Sequence, residues 1–166
     1  MKKLVVMMVI ACVLSIIIVE KSSAQINLPE VTITSPEQLP EKVSEAFKST
    51  FKGTVEPIWF HPNRNYVVTF LMNDIKHKAL FSKNGYLIYH ISYGNEKTIP
   101  ADLKPMVNRK FEGYDIIAAI NVKQNRRDIW FIIGQGAKDF LNVNIEEGVM
   151  SDGEKVPRYD VAYSKN

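Results

Sequence analysis

Two stretches of the chain carry the same hydrophobic pattern. Val43, Ala46, Phe47 and Phe51 fall at i, i+3, i+4 and i+8, and Leu103, Met106, Val107 and Phe111 repeat that spacing at an offset of 60 residues. This spacing lines one face of an α-helix and buries it. Pro40 and Pro100 stand just before each stripe, where a first-turn proline costs no hydrogen bond. Gly53 and Gly113 stand two residues after each stripe, where a left-handed C-terminal cap is cheapest. Lys48 and Lys52 favour the negative end of the first helix, and Arg109 and Lys110 that of the second. Pro105 lies inside the second stripe, which predicts a helix that starts late, near Asp102, or kinks.

Short strand-like runs follow each helix. After the first come Glu56 to His61, Tyr66 to Met72, Lys76 to Ser82 and Tyr86 to Tyr93, rich in aromatic and β-branched residues and separated by turn residues. Asn84-Gly85 predicts a two-residue type I′ hairpin with positive φ at both positions. After the second come Asp115 to Lys123, Asp128 to Ile133, Lys138 to Ile145 and a weak run from Val149, with Gly134-Gln135-Gly136 read as a turn. Strands joined by such short links pair antiparallel. The expected fold is therefore α+β: two tandem pseudo-repeats of a helix followed by an antiparallel β-meander, with both helices on one face of the sheet.

That arrangement leaves the other face open. An Asn84-Gly85 turn pairs Ser82 with Leu87 and Leu80 with Tyr89, so Leu80, Leu87 and Tyr89 share a face opposite Phe81 and Ile88. Leu141, Val143 and Ile145 read as core, which sends Phe140, Asn142 and Asn144 outward. Ile129, Phe131 and Ile133 outweigh Trp130 in apolar area, which sends Trp130 outward. The candidate binding face is then Thr69, Leu80, Leu87, Tyr89, Trp130, Phe140 and Asn142, a mixed aromatic and polar patch suited to a partner. A one-residue slip would exchange the faces.

The start of the chain changes the compartment. Lys2 and Lys3 precede an apolar run from Leu4 to Val19, and Ser22 and Ala24 are small residues at the −3 and −1 positions of a cleavage site after Ala24. This is the pattern of a secretory signal peptide, residues 1–24, with a retained anchor or lipidation at Cys12 as the competing readings. Removing Lys2, Lys3, Lys21 and Glu20 from the 21 basic and 18 acidic residues leaves 18 and 17, a net charge of +1. Nucleic acid is not expected as a partner, nor is membrane insertion after cleavage. The one cysteine, Cys12, lies in the leader. The mature chain thus has no disulfide, no thiol nucleophile and no cysteine metal site.

No catalytic residue and no cofactor is expected. His61, His77 and His90 show no metal-ligand spacing and read as single solvated or hydrogen-bonded side chains. No Gly-x-Ser-x-Gly occurs, and Gly134 and Gly136 lack the third glycine of a dinucleotide loop. Glu146 and Glu147 are strand neighbours that point to opposite faces.

The Leu39-Pro40 and Ile99-Pro100 helix openings, with two helix-plus-meander units over residues 36 to 150, resemble the secreted PepSY-like proteins typical of the Bacteroidetes, which are grouped with the β-lactamase inhibitor protein (BLIP-like) fold. The resemblance implies a non-enzymatic extracytoplasmic protein that binds or inhibits another protein. The inhibitor itself has disulfides and this mature chain has none, so lactamase inhibition is not implied, and no functional residue of the family maps onto the sequence. The expected organisation is an extended lead-in at 25–35, one domain at 36–157 made of repeats 36–94 and 95–157, and a tail at 158–166. The expected function is an exported, periplasmic or secreted binding protein that recognises another extracytoplasmic protein. The alternatives are a small-molecule or glycan-binding protein, or an enzyme whose site is not visible in sequence.

Overall fold

The computed structural model describes residues 32–159. The apolar leader with Cys12 and the Ala24 cleavage site, the lead-in up to residue 31 and the tail from residue 160 lie outside the described residues. The element order is β1 (Thr32–Thr34), a 3-10 turn at Pro36–Gln38, α1 (Glu41–Thr50), β2 (Val55–His61), β3 (Asn65–Met72), β4 (Ile75–Ser82) and β5 (Leu87–Gly94). A second 3-10 turn at Glu96–Thr98 leads to α2 (Lys104–Lys110), β6 (Asp115–Gln124), β7 (Arg127–Gln135), β8 (Asp139–Glu146), β9 (Val149–Met150) and β10 (Glu154–Pro157). All ten strands form one antiparallel sheet whose order follows the chain from β1 to β8, with β9 and β10 both on β8. The end of the lead-in thus contributes an edge strand.

Both helices begin and end by the same devices. The Pro40 carbonyl accepts from the Val43 and Ser44 amides at 2.9 and 3.1 Å, and the Pro100 carbonyl from the Leu103 and Lys104 amides at 3.1 Å each. The amides of Phe51 and Phe111 donate to Phe47 and Val107 at 2.9 Å. Gly53 and Gly113 then turn the chain with φ of 71° and 80°. Each 3-10 turn also has its counterpart 60 residues on, with Leu39 to Pro36 and Ile99 to Glu96 both at 3.3 Å. Because α2 begins at Lys104, Pro105 sits in its first turn, where no amide partner is lost.

The turns depart from the expected chemistry. Type I′ geometry, positive φ at both central residues, occurs at Asn73-Asp74, Asn125-Arg126 and Glu147-Gly148. Asn84-Gly85 does not adopt it, since only Gly85 is left-handed, with φ of 80°. Instead the Gly85 amide donates to Ser82 O at 3.0 Å and the Ser82 amide to Tyr86 O at 2.9 Å. This is a three-residue loop closed by a glycine bulge. It pairs Phe81 with Leu87, and an extra residue, Ile88, then restores the pairing of Leu80 with Tyr89. Gly134 and Gln135 are also not a turn; they continue β7.

The apolar side chains form two clusters. Val43, Phe47 and Phe51 meet Trp59, Val68, Phe70, Ala79 and Phe81. Phe47 makes edge-on ring contacts with Trp59, Phe70 and Phe81 at centroid distances of 5.1, 5.2 and 6.4 Å. Val107 and Phe111 meet Ile99, Ala119, Ile132, Leu141, Val143 and Ile145. The ladder runs Trp59–Val68–Ala79 in β2 to β4 and Ala119–Ile132–Val143 in β6 to β8. The intervening pairs Ala79–His90 and Ser92–Asn121 keep both clusters on one side, the core face.

Two glycines separate the effects of conformation and space. Gly53 and Gly85 both have positive φ, but a Cβ on Gly53 meets nothing within 4 Å, whereas one on Gly85 would fall onto the Lys42 carbonyl of α1. Gly53→Ala is expected to cost about 1 kcal/mol in urea unfolding, and Gly85→Ala at least twice that, since α1 must move as well. Equal losses would show that α1 does not rest on the β4–β5 loop.

Candidate functional site

The face of the sheet opposite the two clusters, the far face, carries most of the candidate residues. Its side chains form rows across the strands. One row is Thr69, Lys78, Ile91, Val122, Ile129 and Glu146. A second is Leu71, Lys76, Tyr93, Ile120, Phe131 and Asn144. A third is Phe60, Val67, Leu80, Tyr89, Gln124 and Arg127. The middle of this surface, over β5 to β7, is continuous apolar side chain. Leu71, Tyr93 and Phe131 keep 40, 40 and 42% of their surface accessible, and Ile58 beside Thr69 keeps 51%. A contiguous exposed apolar surface is the kind of place where proteins carry interaction sites.

Polar groups sit around that centre. Lys76 and Lys78 lie on β4. Arg127 donates through Nε and Nη2 to the two carboxylate oxygens of Glu146, the second at 2.8 Å. That bond holds the Glu146 carboxyl below its usual range and pushes the Arg127 guanidinium up. Burial, with Tyr93 beside it, pushes the Tyr89 phenol up. Where the edge strand breaks between β9 and β10, Phe131, Ile133, Asn142, Asn144, Ser151 and Glu154 line an open groove of about 490 Å³. The Asn144 amide is satisfied there by Ser151 Oγ at 3.1 Å, so the break leaves no orphaned donor.

Of the residues singled out from sequence, Thr69, Leu80, Tyr89, Phe140 and Asn142 lie on the far face by register, with Phe140 opposite Gln135 beneath the Arg158 guanidinium. Leu87 and Trp130 do not. Leu87 pairs with Phe81 and packs against the first cluster, because the three-residue loop shifts the register by one before Ile88 shifts it back. Trp130 pairs with Asn121 and Ile145 and packs against the second cluster. Ile129, Phe131 and Ile133 take the far face instead. The deciding residue is Gly134: a Cβ there would strike the Phe111 ring, so β7 turns its glycine, Ile132 and Trp130 toward α2. A glycine inside a strand signals such a close approach, and apolar area alone does not register it.

Two of the three histidines, His77 and His90, are not single. His77 Nδ1 and His90 Nε2 are 2.9 Å apart, and His77 Nε2 lies 3.3 Å from Met72 O. The carbonyl can only accept, so His77 donates from Nε2 and accepts from His90 at Nδ1. The rings stack at 5.1 Å, between Phe70 and Phe51, on the core face. Pairing Ala79 with His90 makes His77 and His90 diagonal neighbours, a relation the hairpin register already contains. Burial, then His77, then Lys123 push His90 down to about 4; burial lowers His77. Among the described residues no group of three or more His, Cys, Asp or Glu could hold a metal ion, and no helix is long and apolar enough to cross a membrane.

Two outcomes follow from this placement. Trp130→Ala should cost about 3 kcal/mol in denaturant unfolding, while Phe131→Ala, on the next residue, should cost no more than about 1 kcal/mol; the reverse order would exchange the two faces. The histidine pair should make stability pH-dependent. Its pKa values are depressed in the fold relative to 6.5, so the unfolded chain takes up protons first. The stabilisation is whole above about pH 6.5 and is lost as pH falls from there toward about 4. The melting temperature should therefore fall over that window, and His90→Gln should flatten the fall; identical profiles would place both rings in solvent.

No protein-family model matches the chain, and no curated protein sequence does. Solved structures match its fold. A DUF2874 family protein from Bacteroides uniformis is 17% identical at a TM-score of 0.55, over 75% of this chain and 91% of that one. A protein from Bacteroides eggerthii, provisionally assigned to the periplasm, is 14% identical at 0.55, over 75% and 94%. A BLIP-like protein from Bacteroides fragilis is 10% identical at 0.57, over 72% and 88%. The antiparallel sheet with its two helices is thus a BLIP-like fold, shared with proteins of Bacteroides.

Proposed function

We propose that this chain is an exported, non-enzymatic binding protein of the periplasm or cell exterior, and that it recognises another extracytoplasmic protein through the far face of its sheet. The observation that carries the reading is the continuous apolar centre of that face, with Tyr93 and Phe131 each about two-fifths accessible. In this reading residues 1–24 are cleaved after Ala24, 25–35 lead in, and 36–157 form one domain of two repeats, 36–94 and 95–157, with a tail at 158–166. Both helices lie on the core face. The matched caps, prolines and 3-10 turns 60 residues apart support the duplication. The fold likeness to a protein assigned to the periplasm, and the basic and apolar start, support export. A PepSY-like ancestry belongs to the same reading.

The groove at Phe131, Ile133 and Asn142 favours a second reading, a small-molecule or glycan site. A site for such a ligand encloses most of it with a few converging polar groups. This groove is an open trough floored by Phe131 and Ile133, better matched to a side chain of a protein partner.

Site-specific photo-crosslinking in cells distinguishes the faces. A photoreactive phenylalanine at Tyr93 or Phe131 should give a discrete crosslinked band at protein mass, and one at Lys48, exposed on α1, should give none. Bands from Lys48 alone would move the interface to the helices, and no protein band from any position would favour the small-molecule reading.

A further inference from the structure

The charges of the far face define what its partner must present. Lys76 and Lys78 stand side by side along one face of β4, two residues apart, each at the head of an apolar run: Tyr93, Ile120 and Phe131 for Lys76, and Ile91, Val122 and Ile129 for Lys78. Among the described residues neither makes an ion pair, while the other basic side chain of the rows, Arg127, is neutralised by Glu146. The face therefore carries two lysines without an ion pair on β4, in the interior of the sheet, and beyond β7 a groove with the Glu154 carboxylate at its rim. We infer that the docking partner is a protein surface of acidic and apolar character, with carboxylates over Lys76 and Lys78 and an apolar side chain in the groove on Phe131 and Ile133. This rests on the far face being the docking surface. From β4 to β7 is three strand spacings, about 14 Å, which fixes the separation of the two features on the partner. The centre mixes Ile91, Ile120, Val122 and Ile129 with the Tyr93 and Phe131 rings, an apolar surface that suits the apolar side chains of a protein. Two lysines are also too few to hold a phosphate backbone.

Synthetic peptides test the charge and the span together. One probe carries glutamates at one end and Phe-Leu-Phe at the other, joined by a Ser-Gly-Ser spacer; the second has lysines for glutamates. Each is titrated into the mature protein and followed by two-dimensional amide NMR. The glutamate peptide should shift amides of β4 to β8, weaken with added salt, and bind about tenfold more weakly to the K76S/K78S variant, whose melting temperature should be unchanged. The lysine peptide should bind more weakly than its counterpart. Equal binding of the two peptides at the far face would overturn the acidic partner and leave the docking face standing. Shifts confined to the helices and the core face, or none, would overturn both.

Discussion

The period of two along an antiparallel strand decides what each side of this sheet can do. Every link from β2 to β8 is short except the one through α2, so pairing passes from strand to strand with little slack, and a one-residue slip anywhere exchanges the core and far faces of the strand concerned. The β4–β5 hairpin shows how the register is kept. Its glycine-bulged loop moves the ladder by one residue, and the extra residue at Ile88 moves it back. Between the two shifts Phe81 and Leu87 pair toward α1, and beyond them Leu80 and Tyr89 pair toward the far face. Loss of either irregularity alone would invert β5 and break both surfaces at once.

The helices depend on the sheet more than it depends on them. At ten and seven residues, α1 and α2 are too short to persist alone. Phe47 holds the first through edge-on contacts with three rings, and Phe111 holds the second by resting where β7 offers a glycine instead of a side chain. Between them the stacked histidines lie on the core face beneath the end of α1, where burial lowers the pKa of both.

The sequence was most legible where one physical rule acted alone. The two helical stripes, their proline starts and their glycine ends appear as the spacing predicts, and eight of the ten strands fall on the apolar runs within a residue or two. The apolar and polar pattern of 25–35 predicts an extended segment, and nothing in it marks Thr32–Thr34 as a paired edge. The errors arose where two rules competed. Asn-Gly is the preferred type I′ pair, yet here the loop rests against α1 and the glycine serves as a bulge. Three apolar residues on β7 outweigh Trp130 by area, yet the approach of Phe111 needs the side without a Cβ at Gly134. The far-face lysines were missed for another reason. Along the chain Lys76 and Lys78 only flank His77, and the rows through Tyr93 and Ile91 show that they lie beside apolar surface.

The fold and the binding surface therefore carry different information. At 10 to 17% identity the Bacteroides structures share a scaffold with this chain, and a scaffold does not choose a partner. The scaffold is set by the core face, where Phe47, Phe111, Gly134 and the histidine pair leave little freedom. Among the described residues the helix side chains join the core-face clusters, so the far-face residues answer to the pleat for direction and are less constrained by packing. Aliphatic and aromatic side chains kept at such positions run against solubility, which would favour charge throughout. Beside two lysines that make no ion pair among the described residues, they fit the proposed docking role, in which specificity would lie in the few charges of the surface rather than in the apolar area it buries.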